Sequence, residues 1–263
     1  MTRIIAIAMQ KGGVGKTTTA INLSAALTNF GQSVLAVDLD AQGNLTQHAG
    51  FDPEQLSPTI YDSLKAEVDG FESDAAHAIY ETAEGFHLLP SQPELSLVEV
   101  SLINTLSRER VLSNILDGVS CNYDFVLIDC SPSLGLLVIN ALTAADSVLI
   151  PVQTDYLAAR GAFMILSSIE TVRRKKLNPT LQVEGILLTM ADTRTLLAQD
   201  IQRAVNAQYG DGIHIFEPVI RRSVRFGESA AAGQSILAYD PNSPGTKAYL
   251  QIARSIMEGG NYG

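Results

Sequence analysis

Residues 10–18 read Gln10-Lys11-Gly12-Gly13-Val14-Gly15-Lys16-Thr17-Thr18, a glycine-rich stretch with two lysines and two threonines. It lies between an apolar run (IIAIAM, 4–9) and a stretch of helical periodicity, TTTAINLSAALTN (17–29). Glycines let a backbone curl so that successive N–H groups point inward at an anion. A helix starting at the end of such a curl adds the positive end of its dipole. Lys16 then supplies a full charge to the outer phosphates of a nucleotide, and the Thr17 hydroxyl is placed for Mg²⁺. The alternative, a glycine turn with an incidental lysine, needs strand, loop and helix to coincide by chance. Lys11 is less determined: it reads as a second phosphate ligand or as a solvated loop lysine.

Two acids end apolar runs. Asp38 closes VLAVD and Asp40 follows two residues on, in VLAVDLDAQGNLT; Asp129 closes FVLID. Carboxylates at strand ends beside a phosphate loop serve a metal or a water. Away from such a loop they would read as turn-capping acids. The four histidines and two cysteines form no zinc spacing and no disulfide framework, which fits a reducing cytoplasm.

These residues need a scaffold, and the pattern supplies one. Strands are expected at 4–9, 34–38, 86–89, 125–129, 147–152 and 183–189. Helices are expected at 17–29, 59–66, 104–117, 134–143, 157–173, 195–207 and 244–258, the last opening near Pro244. Alternation of this kind implies an α/β fold, a mostly parallel twisted sheet flanked by helices. Ligands of such sheets sit beyond the carboxyl ends of the strands. No linker, repeat or low-complexity tract interrupts residues 1–263, so a single domain is expected. At 46% hydrophobic residues the chain can fill a large core.

The net charge of −10 alone argues against nucleic acid, yet it is unevenly spread. Residues 1–159 hold 6 Lys and Arg against 19 Asp and Glu; residues 160–263 hold 12 against 9. The second part therefore has the composition for an anion-facing surface, or simply for scattered solvated charge. The run Arg173-Arg174-Lys175-Lys176 closes a helix, where cations suit the negative dipole end. The apolar run at 4–9 is too short for a membrane span, and the final MEGGNYG is neither basic nor amphipathic. No membrane anchor is expected.

The loop departs from the common phosphate-binding pattern. Gln10 stands where glycine is usual and Lys11 follows, giving K-G-G-x-G-K-[ST]. This variant Walker A box resembles that of the ParA/MinD superfamily of ATPases. The segments CSPSLG (130–135), LTMADTRTLLAQDI (188–201), VIRRSVRFGES (219–229) and YDPNSPGTKAYLQIA (239–253) resemble the small Soj-like ParA proteins, so the likeness spans essentially the whole chain. Those proteins also begin at the first strand, without the DNA-reading extension of larger plasmid ParA proteins.

The resemblance implies a P-loop ATPase using ATP and Mg²⁺. It places the phosphates on Lys11, Gly12, Gly13, Val14, Gly15, Lys16, Thr17 and Thr18, with Lys11 reaching a partner subunit's ATP across a homodimer. It gives Thr17, Asp38 and Asp129 to the metal and Asp40 to the attacking water. The base falls to Met190, Pro218 and Arg221, although small ParA proteins commonly carry proline where Arg221 stands. Non-specific DNA falls to Arg194, Arg221, Arg222, Arg225 and Lys247; without the resemblance these read as salt-bridged surface residues. The implied protein is a slow ATPase of the cytoplasm, nucleoid-associated, stimulated by a ParB-like or adaptor partner, positioning a plasmid, a chromosome or a protein body such as a carboxysome. Three other readings compete: a MinD-like membrane-cycling ATPase, a metabolic enzyme such as a nitrogenase iron protein or an amide ligase, and a scaffold that binds nucleotide but barely hydrolyses it. The two cysteines are badly placed for a cluster, and the basic amphipathic C-terminal helix that the first competitor expects is not seen in this sequence.

Overall fold

The computed structural model describes residues 1–154, 158–191 and 212–259, together with Arg203 and Ala207. Its centre is one eight-stranded sheet with the order β3-β4-β2-β5-β1-β6-β7-β8. The strands are β1 (Arg3–Ile7), β2 (Val34–Leu39), β3 (Tyr80–Glu81), β4 (His87–Leu89), β5 (Phe125–Cys130), β6 (Ser147–Gln153), β7 (Gln182–Thr189) and β8 (Ile215–Phe216). Every pairing is parallel except that of the short edge strand β3 with β4.

The buried strands alternate between two cores, as the two-residue period of a strand requires. Ile5 and Ile7 pack to one side with α1 (Lys16–Asn29) and the C-terminal helices. Ala6, Ala8, Leu35 and Val37 pack to the other with α3 (Ile60–Val68), α5 (Val111–Asp117), α6 (Leu136–Ala144) and α7 (Ala158–Arg174). Burial on both faces explains why these strands read as unbroken apolar runs. Strand order reverses at β1, between β5 and β6, and such a reversal opens a crevice at the carboxyl ends of the strands.

The chain ends on three helices, α8 (Arg225–Ala231), α9 (Ile236–Tyr239) and α10 (Pro244–Met257). Ser243 caps α10 by accepting from the Thr246 N–H at 3.0 Å, and Pro244 sits where its missing N–H costs nothing. Tyr249, Ile252 and Ile256 of α10 bury against α1.

Most expected elements are present within a residue or two. The expected helix 104–117 is shorter: only Val111–Asp117 is α-helical, because the Arg108 guanidinium donates to the Ile103 carbonyl at 2.8 Å and turns occupy the stretch between. Helices α2 (Asn44–His48), α4 (Leu95–Leu102), α8 and α9 and strands β3 and β8 were not anticipated. They are short, and α4 (LSLVEVSL) has no purely polar face to give it a helical period. The expected helix 195–207 lies outside the described residues, apart from Arg203 and Ala207. Among the described residues no helix is long and apolar enough to cross a membrane.

Candidate nucleotide site

The loop after β1 enters α1 through Gly15, whose φ of 89° is left-handed; Gly13, at 72°, is too. A methyl group added at Gly12 or Gly13 would meet nothing within 4 Å, so open space lies over the curl. The loop is braced from the far side of the sheet. Thr189, ending β7, donates its hydroxyl to the Val14 carbonyl at 2.7 Å, and its methyl group lies under Gly15. Lys16 is buried, its ammonium 3.5 Å from the Lys11 carbonyl, while Lys11 itself is half-buried.

Parallel register puts Asp38 of β2 directly beside Asp129 of β5, and Asp129 beside Ile7 of β1. The two carboxylates are held very differently. Asp38 Oδ2 accepts from the Thr46 N–H at 2.8 Å and from the Thr46 hydroxyl at 2.7 Å. Burial nonetheless pushes its pKa up to about 6, against the opposing pull of those hydrogen bonds. Asp129 is buried with no hydrogen-bond partner on either oxygen. Burial holds its pKa well above the usual carboxylate range, the Asp38 charge adds to this, and Thr17 and the Lys16 ammonium oppose it. A buried carboxylate without partners suits a cation, and an oxygen-ligating one at that. No cluster of three or more His, Cys, Asp or Glu suitable for a metal is found among the described residues. Asp38, Asp129 and Thr17 offer oxygen donors beside the phosphate loop, the kind that fits Mg²⁺, which keeps several of its waters. Asp40, half-buried, accepts from the Gln42 N–H at 3.0 Å.

Beyond Gly15 and Thr18 opens a pocket of 260 Å³. Met190 and Arg221 line it, with Thr189, Ile220, Phe226 and Tyr249. Met190 takes a left-handed φ of 52°, and a backbone bridge joins Ala191 to Arg221. Pro218 lies outside it, in an adjoining groove of 450 Å³. That groove also holds Arg221, Arg222, Arg225 and Lys247, so four of the five basic residues singled out from the sequence share one concavity. Arg225 is paired within it, to Glu228 at 2.8 Å and to Asp240 at 3.7 Å. Arg194 lies outside the described residues. Within the run 173–176, Arg173 donates to the Leu181 carbonyl at 2.6 Å, while Arg174, Lys175 and Lys176 are exposed.

Sequence reasoning missed Thr46, Thr189, Phe226 and Tyr249. Each reaches the site through folding, and nothing in its local sequence marks it. Asn22 is a further unmarked link. Its amide donates to the Thr18 carbonyl at 2.7 Å, and its oxygen accepts from the Ile236 N–H at 2.6 Å. The phosphate helix is thereby tied to the segment that carries the basic groove.

Residues 2–183 match a family model described as an AAA domain. Over 260 residues the chain is 43% identical to the sporulation initiation inhibitor protein Soj of Bacillus subtilis, covering 99% of this chain and all of Soj. The chain belongs to the Soj/ParA family of ATPases. A second ParA relative, the chromosome partitioning protein of Caulobacter vibrioides, is 40% identical over 97% of this chain and 94% of its own. Among solved structures, cobyrinic acid a,c-diamide synthase from Mycobacterium smegmatis, with bound ADP and magnesium, superposes with a TM-score of 0.85 at 36% identity, covering 98% of this chain and 95% of that one. The ParA fold, with its reversal at β1, is what brings the loop, Asp38 and Asp129 to one point.

Proposed function

We propose that this chain is an ATP-dependent, dimerising ATPase that binds DNA non-specifically and positions or segregates a cargo with a ParB-like or adaptor partner. The observation that carries the ATP half is the juxtaposition of the open glycine curl, buried Lys16 and the unpartnered Asp129 carboxylate. Loop N–H groups and the α1 N-terminus bind the phosphates, Lys16 neutralises the β- and γ-oxygens, and the 260 Å³ pocket takes the base. Thr17, Asp38 and Asp129 hold magnesium, which when bound screens the charge between the outer phosphates. Lys11, half-buried at the start of the loop, reaches a second subunit's phosphates across the dimer. Asp40 orients the attacking water.

DNA binding rests on the basic groove. Phosphate contacts need charge and reach only, so binding is sequence-independent and falls steeply with salt. Two subunits clamped around ATP would join their grooves into one surface. The experiment is a salt titration of DNA binding with ATP, with ADP and without nucleotide. Binding restricted to ATP and lost at high salt is expected; nucleotide-independent binding, or none, would sink the reading. Arg225→Glu should lower DNA affinity about tenfold or more while ATP affinity stays at the wild-type value. Unchanged DNA retention would remove Arg225 from the surface.

The likeness to the diamide synthase favours one competitor, an ATP-dependent amide ligase. Such an enzyme would turn ATP over with a small carboxylate and would show no ATP-gated DNA retention, so the same titration separates the two.

The carboxylate pair adds a pH signature. A raised pKa means that Asp38 holds its proton up to about pH 6, and the proton competes with the cation. Affinity for magnesium–ATP should therefore be full above pH 7 and weaken roughly tenfold by pH 5, with protons released on binding. Calorimetry in buffers of different ionisation enthalpy measures this. Affinity flat from pH 7 to 5 would exclude Asp38 from the cation site.

A further inference from the structure

The loop that carries Asp40 is closed at its base by one side chain. Thr46, eight residues after Asp38, folds back so that its N–H and its hydroxyl both donate to Asp38 Oδ2, at 2.8 and 2.7 Å. The N–H is one that α2 cannot satisfy by itself. It lies in the first turn, and Gly43 before that turn has no side chain to cap it. Asp38 supplies the missing acceptor, so residues 39–45 form a loop pinned at both ends. Inside it the Gly43 N–H donates to the Asp40 carbonyl and the Gln42 N–H to the Asp40 carboxylate. Asp40 is therefore set by the same closure that holds Asp38.

A third group settles which way the hydroxyl points. The Ser91 N–H, in the segment after β4, donates to Thr46 Oγ1 at 3.0 Å. An N–H can only donate and a hydroxyl has one proton, so that proton is committed to Asp38. Asp38, Thr46 and Ser91 are all buried, which leaves no water to share these bonds. Asp38 Oδ2 is thus taken up by two donors. Oδ1 meets only the Asp40 N–H, at 3.3 Å, and is the oxygen left open to a cation or to a water on it. Asp129, the neighbour of Asp38 in register, has no such clamp.

We propose that Thr46 is a positioning residue of the ATPase reaction: by holding Asp38 Oδ2 it presents Oδ1 to the cation, and by closing the 39–45 loop it sets Asp40 at the water. Serine at this place does the same work, because the hydroxyl and the N–H carry it. Valine, of the same shape but without the hydroxyl, does not. The proposal rests on the assignment above of Asp38 to magnesium and of Asp40 to the attacking water. Groups that orient a metal-side ligand are worth about 10–100-fold in metal affinity or activity.

The test compares the full chain with Thr46→Val, Thr46→Cys and Thr46→Ser. It measures affinity for metal-free ATP in EDTA, and ATP turnover against magnesium concentration. Metal-free affinity should be the same in all four proteins, because residues 10–18 are untouched. In Thr46→Val the magnesium concentration for half-maximal turnover should rise about tenfold, and maximal turnover should fall about tenfold or more. Thr46→Ser should stay within about twofold of wild type on both counts. Thr46→Cys, a weaker donor of similar size, should fall between, and it carries the comparison if the valine variant does not fold. Wild-type magnesium dependence and turnover in Thr46→Val overturn the proposal. An equal loss of metal-free ATP affinity overturns it too, making Thr46 a general support of the fold, as does a serine variant as impaired as the valine one. Wild-type turnover that ignores magnesium would instead remove the cation from Asp38 and Asp129, and the role of Thr46 with it.

Discussion

Lys16→Ala should abolish ATP binding, a loss of at least a hundredfold in affinity, with the fold intact. The charge removed is buried at the foot of the loop, next to an equally buried carboxylate. Charge-assisted hydrogen bonds to phosphate are the strong kind, and losing one from a desolvated site costs about 2–5 kcal/mol. The free protein does not depend on this lysine in the same degree. Its ammonium makes one long contact, 3.5 Å to the Lys11 carbonyl. Titration calorimetry measures the affinity, and thermal unfolding supplies the control. Wild-type protein gains about 2.7 kcal/mol at a hundredfold excess of ligand over Kd; the variant should gain nothing while its unliganded midpoint stays near that of the wild type. Normal affinity in the variant would remove the phosphate site from this loop. Lys11→Ala is the informative contrast: one subunit should still bind ATP, and only the dimer should be lost.

What the sequence made legible follows from distance along the chain. The loop at 10–18 is local: strand, glycines, lysine and helix are contiguous, and their chemistry does not wait for the fold. Asp38 and Asp129 were legible as strand ends, but that they are register neighbours depends on β2 pairing with β5 across 90 residues of chain. Thr189 is separated by 175 residues from the carbonyl it braces, and no local pattern marks it. Helix α4 was missed for a physical reason: periodicity finds helices by their polar face, and here the exposed face mixes Leu97 and Val100 with Ser96 and Ser101. The basic residues were legible only as types. Folding gathers Arg221, Arg222, Arg225 and Lys247 into one groove, and it also supplies Arg225 with the acidic partners that the plainer reading foresaw.

Asp40→Ala should separate binding from hydrolysis. The two acids at the end of β2 are built for different jobs. Asp38 is fully buried and satisfies Thr46 twice; removing it strands an N–H and a hydroxyl in the core, at a cost of about 1–3 kcal/mol. Asp40 is half-buried and accepts one N–H, from Gln42, in a turn that the Gly43 N–H to Asp40 carbonyl bond at 2.9 Å also closes. Its truncation costs roughly 1 kcal/mol of stability, leaves Asp38, Thr17 and Asp129 in place, and leaves the phosphate loop untouched. ATP should therefore bind with near wild-type affinity. What the variant lacks is the carboxylate proposed to orient water, and loss of such a group lowers turnover by about 10²–10⁴-fold. If hydrolysis is what opens the dimer, blocking it traps the clamped state, and at saturating ATP the variant should accumulate as a dimer retained on DNA. Light scattering of the ATP-bound variant, with and without DNA, reads both properties at once. A monomer at saturating ATP would mean that Asp40 helps to close the dimer, whereas a dimer with undiminished turnover would pass the water to another group.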